Sequence, residues 1–306
     1  MNMKQTVAAM GAAVLAAFLS QMPAYASGEK SMTCLRAGAD LIKFCGAGAV
    51  TMPVNAESSG IEWIEDQAIA QLFVDAGVDG TFVSCRSRSD VMVGHNSHRA
   101  LKRLPPASTF KIPHTLVALK TSAVSDINES FAWDGSPRRF GFWERDMTLA
   151  EAFEASNLHV YQEVASRIGR VELESSLVEF NYGNRQVGPW LSSFWLQGPL
   201  EISAVEQCRF LLSLATGQFP VDNVQWKVLR QLMASDAGGG VTLYAKTGWA
   251  NAPDPGPGWW VGWIEGTFGV VAFALQIDMP EPAHAALRVE LGSKALVVLD
   301  LLPSIP

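Results

Sequence analysis

From Glu65 to Gly77 the chain reads EDQAIAQLFVDAG, with Ile69, Leu72, Phe73 and Ala76 at helical spacing and a glycine placed to end the turn. Two short apolar runs, GTFVSC and DVMVG, follow on either side of the polar RSRS, and this pattern predicts two strands. Helical spacing returns in STFKIPHTLVALK and dominates to about residue 235. Within that span Thr148 with Glu151, and Ser203 with Glu206, have capping-box spacing. HVYQEVASRIG and VQWKVLRQLMAS are amphipathic, and polar breaks fall at ASN (155–157) and NYGN (181–184). Beyond Gly238-Gly239-Gly240 the pattern becomes that of strands: VTLYAKTGWA, GWWVGWIEG and FGVVAFALQID, the first two separated by NAPDPGPG. Leu287, Leu291, Ala295, Val298 and Leu299 mark the face of a closing helix.

Strands and a helix at both ends around a helical middle predict an α+β fold of two lobes. An antiparallel sheet would be flanked by N- and C-terminal helices, with an all-helical lobe inserted. The α/β lobe is expected over about 60–120 and 236–306, and the helical lobe over about 121–235. A site would then lie between them.

Composition narrows the class. The 306 residues are 48% hydrophobic and 17% charged, enough apolar material for a large core. The net charge of −7, with no basic run, lacks the footprint of a nucleic-acid partner. Residues 1–26 combine Lys4, an apolar run from Val7 to Leu19 and the small-x-small Ala24-Tyr25-Ala26, which predicts a removable secretory signal. The run is too short to span a bilayer, so no membrane attachment is expected after cleavage. Export permits disulfides among Cys34, Cys45, Cys85 and Cys208. Spacing favours Cys34 with Cys45, and four unpaired thiols are the alternative. His95 and His98 lack a third ligand nearby, so no metal is expected.

Two Ser-x-x-Lys patterns occur, SGEK at 27–30 and STFK at 108–111, and only the second opens an apolar helix. Ser108 and Lys111, three apart, share a helical face. A serine hydroxyl needs a base, and a lysine stripped of water can be one. A helix start would also give an anionic intermediate free N–H groups. An N-capping serine with a solvated lysine is the bland alternative. Against it stands the single Lys246-Thr247-Gly248 in a strand, which offers an ammonium, a hydroxyl and a flexible backbone beside a cleft. Ser156, in the break at 155–157, could point into that cleft or could cap the next helix.

STFK, SNL, YGN, FWLQGPLEISAVEQ, KTGW, WWVGWIEG and the arginine of ALRVEL, in that order, resemble a class D (oxacillinase-type) serine β-lactamase of the penicillin-recognising transpeptidase family. The likeness runs from about residue 66 to 300. Class A would carry Ser-Asp-Asn and Glu-x-x-Leu-Asn, which are missing; class C carries a Tyr-x-Asn that YGN superficially fits. The resemblance implies hydrolysis of β-lactams through an acyl-enzyme on Ser108. It implies Lys111 as an N-carboxylated base held by the Trp195 N–H, and Ser156 as a proton relay beside Lys246. Backbone N–H groups of Ser108 and Trp249 would form the oxyanion hole. Thr247, Gly248, Trp249 and Arg288 would hold the substrate, with Leu158, Tyr182 and Asn184 lining the cleft.

No cofactor beyond CO2 or bicarbonate is implied, and the partner is a small β-lactam, acting on a monomer or homodimer in the periplasm of a Gram-negative bacterium. A DD-peptidase and a covalent β-lactam sensor share the acyl-enzyme and remain rivals. The class commonly has valine where Leu158 stands. Leu158→Val is expected to retain activity with a changed ranking of substrates, measured as kcat/KM over a β-lactam panel; identical values on every substrate would refute it.

Overall fold

The structure, a computed structural model, describes residues 49–50, 61–251, 253–280 and 282–303. The signal segment 1–26, Cys34 and Cys45 lie outside them. The sheet is built from β1 (Ala49–Val50), β2 (Glu62–Asp66), β3 (Gly80–Arg86), β4 (Val91–His95), β7 (Ala234–Asp236), β8 (Thr242–Trp249), β9 (Gly256–Gly266) and β10 (Gly269–Met279), while β5 (Ser130–Phe131) and β6 (Met147–Thr148) form a separate small ladder. Its order is β1-β2-β4-β3-β10-β9-β8-β7. The sheet is antiparallel as expected except at β2 and β4, which run parallel with Glu62 opposite Val91, so it is mixed. Helix α1 (Gln67–Ala76) begins directly after β2, and α1 with β3, which is antiparallel to β4, forms the connection between the two parallel strands. Asp66 caps α1 with bonds to the Ala68 and Ile69 N–H groups, and Gly77 closes it at φ +63°.

Strands β9 and β10 are apolar on both faces because each face is covered. Trp259, Val261, Trp263, Ala272 and Ala274 join the core shared with the helical middle. Trp260, Ile264, Val271, Phe273 and Leu275 alternate with them and pack beneath α1 and the C-terminal helix. The remaining helices in chain order are α2 (Ser97–Ala100), α3 (Lys111–Lys120), α4 (Leu149–Glu154), α5 (Leu158–Ile168), α6 (Arg170–Glu179), α7 (Ala204–Ala215), α8 (Asn223–Met233) and α9 (Leu287–Val298). Capping boxes are present at Thr148–Glu151 and Ser203–Glu206. Helix α7 lies across β3, β9 and β10, and α3 packs against α5 and α8.

The expected Cys34–Cys45 pair cannot be followed, but the alternative of four unpaired thiols is overturned. Cys85 of β3 and Cys208 of α7 form a disulfide across 123 residues of sequence. It fastens α7 to the sheet. A cross-link closing so long a loop constrains the unfolded chain strongly. Reduction, or the double replacement Cys85→Ala with Cys208→Ala, is expected to lower unfolding stability by about 2–5 kcal/mol. The denaturant midpoint checks this; an unchanged midpoint would show that the bridge contributes nothing.

Candidate active site

Ser108 stands in a short 3-10 turn, Ala107–Phe110, that runs directly into α3. The turn is held from several sides. The Ala107 N–H donates to the Trp195 carbonyl at 2.8 Å, and Leu104 and Ile202 exchange backbone bonds of 3.0 and 2.9 Å. Trp259 Nε1 donates to the Pro105 carbonyl at 2.9 Å. Gln207 Nε2, buried on α7, donates to Thr109 Oγ1 at 2.8 Å, and that hydroxyl donates to the Pro106 carbonyl at 2.7 Å. These contacts hold Ala107 in the left-handed region at φ +51°, a conformation an alanine adopts only when its surroundings impose it. Ser108 is thereby left half-buried, its side chain open to the cleft, while Ala107, Thr109 and Phe110 are buried.

Lys111, the first residue of α3, is 1% exposed. Its Nζ lies 3.0 Å from Ser108 Oγ and 4.8 Å from the centre of the Tyr161 ring. Loss of water, and then the Lys246 charge, pushes its pKa well below the ordinary lysine value. Lys246 on β8 is 6% exposed and bonds to Ser156 Oγ. Burial, then the Arg288 charge, brings Lys246 down to about 7. Arg288 on α9 donates to the Gly248 carbonyl and, through Nε, to the Ala285 carbonyl at 2.9 Å. Burial lowers it to about 10. No carboxylate contributes to the pKa shift of any of the three. The site is therefore a set of poorly hydrated basic groups that form no ion pair with a carboxylate among the described residues, suited to an anionic guest.

The other elements serve this meeting of Ser108, Lys111, Ser156 and Lys246. Ser156 adopts φ +52°, and it is Asn157, not Ser156, that caps α5, accepting from the His159 and Val160 N–H groups at 2.9 and 3.3 Å. Strand β7 pairs with β8 only from Thr242 to Tyr244, so Lys246-Thr247-Gly248 lies beyond the reach of that edge strand. At Gly248 a Cβ would stand 2.9 Å from the Pro106 carbonyl and 3.1 Å from the Thr109 nitrogen. Only glycine lets β8 come this close to the nucleophile's turn.

With the geometry in place, likeness to other proteins can be weighed. The penicillin binding protein transpeptidase domain family matches residues 86–296. β-Lactamase OXA-48 of Klebsiella pneumoniae is 35% identical over 260 residues, spanning 85% of this chain and 97% of that protein. β-Lactamase OXA-20 of Pseudomonas aeruginosa is 40% identical over 227 residues, 74% of this chain and 84% of that protein. The solved structure of FUS-1 (OXA-85), a class D β-lactamase from Fusobacterium nucleatum subsp. polymorphum, is similar with a TM-score of 0.75 at 30% identity, over 78% of this chain and 100% of that one. The chain belongs to the class D serine β-lactamases.

Not every residue singled out in this class D β-lactamase stands at the open cleft. Tyr182 is fully buried between Phe110 and Phe210, with ring centres 5.6 and 5.0 Å away. Asn184 bridges two loops, donating to the Pro199 carbonyl at 2.7 Å and accepting from the Glu201 N–H at 3.1 Å. Between them Gly183 brings the backbone so near Glu201 that a Cβ would meet its carbonyl at 2.1 Å. The expected lining role of Tyr182 and Asn184 therefore gives way to a structural one: the YGN segment clamps the loop behind the site. Leu158 begins α5, half-buried, and packs against the shared core. Trp249 is half-buried, with the Arg139 guanidinium 4.7 Å above its ring. Trp195 is fully buried, and its Nε1 has no hydrogen-bond partner.

Sequence reasoning missed Gln207 and Trp259, which steady the turn that carries Ser108. A glutamine on the inward face of an amphipathic helix was the available signal. Gly248→Ala is expected to preserve the far-UV circular dichroism but lower kcat/KM about a hundredfold, the scale of an ångström-sized misplacement. An unchanged kcat/KM would show that the close approach of β8 is unnecessary.

Proposed function

We propose that this class D β-lactamase hydrolyses the amide of penicillin-type antibiotics through an acyl-enzyme on Ser108, giving resistance. The observation that carries the reading is the Lys111 amine, dehydrated by burial and 3.0 Å from the Ser108 hydroxyl. A neutral amine is a base and also a nucleophile toward CO2. The partnerless indole N–H of Trp195, fully buried on the same aromatic cluster, fits a carbamate oxygen as its acceptor. When present, an N-carboxylated Lys111 would supply the general base for both acylation and deacylation.

The chain's own residues divide the remaining work. Ser108 Oγ attacks the lactam carbonyl, and the N–H groups of Ser108 and Trp249 receive the developing oxyanion, at about 3–4 kcal/mol per donor. Ser156 passes a proton to the departing lactam nitrogen. Its bond to Lys246, whose pKa is about 7, supports this relay, since that ammonium gives and regains a proton near neutral pH. Thr247 and Arg288 hold the substrate carboxylate, and the absence of any carboxylate among the influences on these cations supports that assignment. Gly248 and Trp249 form the strand edge along which the substrate lies, and Leu158 bounds the space at the start of α5.

The same reading makes residues 1–26 a signal removed on export to the periplasm of a Gram-negative bacterium. Residues 27–306 would then work as one β-lactamase domain, monomeric or homodimeric, with the lobes divided near residues 120 and 236. Among the described residues no helix is long and apolar enough to cross a membrane.

Steady-state hydrolysis of nitrocefin, with and without added bicarbonate, tests the proposal. Wild type is expected to turn over continuously and faster with bicarbonate. Lys111→Ala is expected to lose roughly a thousandfold in kcat, the scale of a lost general base, and to ignore bicarbonate. A single burst without turnover in wild type would instead favour a DD-peptidase or a covalent sensor.

A further inference from the structure

One buried polar side chain beside Lys111 has no part in the chemistry above. His114, one turn further along α3, is 0% exposed, and neither Nδ1 nor Nε2 has a hydrogen-bond partner. Its ring centre lies 5.3 Å from that of Trp195, 5.3 Å from that of Tyr161 and 5.2 Å from that of Phe110. Tyr161 carries the Lys111 amine over the same ring, 4.8 Å from its centre, so the imidazole and the amine flank one aromatic side chain. The Tyr161 hydroxyl is already engaged with Thr115 Oγ1 at 2.7 Å. A buried imidazole with both nitrogens unmatched is costly, and a hydrogen-bond partner at either nitrogen would relieve that cost. Trp195 Nε1 is unmatched in the same cluster.

We propose that His114 is a positioning residue for the carboxylated form of Lys111, its ring N–H donating to one carbamate oxygen while the Trp195 N–H donates to the other. This inference rests on the carboxylation of Lys111 set out under the proposed function. The carboxylation balances without a further reagent. The Lys111 nitrogen lone pair forms a bond to the carbon of CO2, one C–O π pair moves onto oxygen, and one N–H proton departs through the Ser108 hydroxyl, 3.0 Å away, to cleft water. Burial, and then the charge of an uncarboxylated Lys111, bring His114 down to about 3, so the ring that receives the forming carbamate is a neutral imidazole with one N–H to donate. Around it stand Lys111, Phe110, Tyr161 and Trp195; burial raises the pKa of the Tyr161 hydroxyl, which keeps it neutral, while burial and then the Lys246 charge lower that of Lys111. Two neutral N–H donors can stabilise a buried anion without a second buried charge.

The test reads the carbamate itself. The purified full-length enzyme is titrated with 13C-labelled bicarbonate, and the carbamate carbonyl resonance is followed by NMR in wild type, His114→Leu and His114→Asn. Wild type is expected to show the resonance, with the His114 ring N–H moving downfield as it fills. His114→Leu should need about tenfold more bicarbonate for half-occupancy, the loss of one hydrogen bond to a charged group, and His114→Asn, which keeps an amide donor, should recover part of it. Equal half-occupancy in wild type and His114→Leu, or a His114 ring signal indifferent to bicarbonate, overturns the proposal; the latter reads out in wild type even if a variant fails to fold. A wild type with no carbamate resonance at all overturns the carboxylation of Lys111 as well, so the two failures are told apart.

Discussion

The arrangement depends on taking lysine amines out of water where no carboxylate meets them. Lys111 and Lys246 are 1% and 6% exposed, and Arg288 is 9% exposed. An ammonium in such surroundings gives up its proton more readily than it stays charged and dry. Each cation also burdens the next: Arg288 acts on Lys246, Lys246 on Lys111, and Lys111 on His114. The gradient runs from a guanidinium lowered to about 10, through an ammonium at about 7, to the most deeply buried amine, Lys111, which is also pushed well below the ordinary lysine value. One cluster thus holds the groups to which the proposed mechanism assigns an anion clamp, a proton relay and a general base.

Such a cluster destabilises the fold, and the neighbouring backbone shows what offsets it. Ala107 and Ser156, one beside the nucleophile and one at the relay, both sit at positive φ without being glycine. These conformations persist because partners fixed elsewhere over-determine them. For Ala107 the partners are the Trp195 carbonyl, the Gln207–Thr109 bridge and the Trp259 indole. Gln207 in turn stands on α7, which the Cys85–Cys208 bridge fastens to β3. The disulfide touches none of the polar groups at the site, yet through Gln207, the residue before Cys208, it anchors the helix that steadies the Ser108 turn.

What the sequence made legible was what local patterning encodes. Helix α1 with its glycine stop, both capping boxes, the β3–β4 pair and the three C-terminal strands follow from spacing within a dozen residues. The fold class follows from their order. The parallel pairing of β2 with β4, the short edge strands β1 and β7, and the disulfide across 123 residues depend on contacts distant in sequence, which no local period carries. The site divides in the same way. The Ser-x-x-Lys at 108–111 and the Lys-Thr-Gly at 246–248 declared their chemistry through residue type. Tyr182 and Asn184 looked the part, but Gly183 and the Glu201 carbonyl draw that segment into the wall. Gln207 stood out only as an inward polar position on an amphipathic helix, and His114 resembled an ordinary helix residue, because a helical period does not say what an inward polar side chain meets.

The position of the core decides how such a site can work. Trp259, Val261 and Trp263 of the sheet belong to the same apolar cluster as Phe153, Tyr161 and Trp195 of the helical middle. A continuous core of this kind resists a hinge, because opening it would expose close-packed aromatic surface at about 25 cal/mol per Å². The Ser108 turn, β8 and the Ser156 turn are accordingly fixed relative to one another before any substrate arrives. Preorganisation of this sort costs nothing at the moment of reaction, which is when aimed donors and cations are most effective.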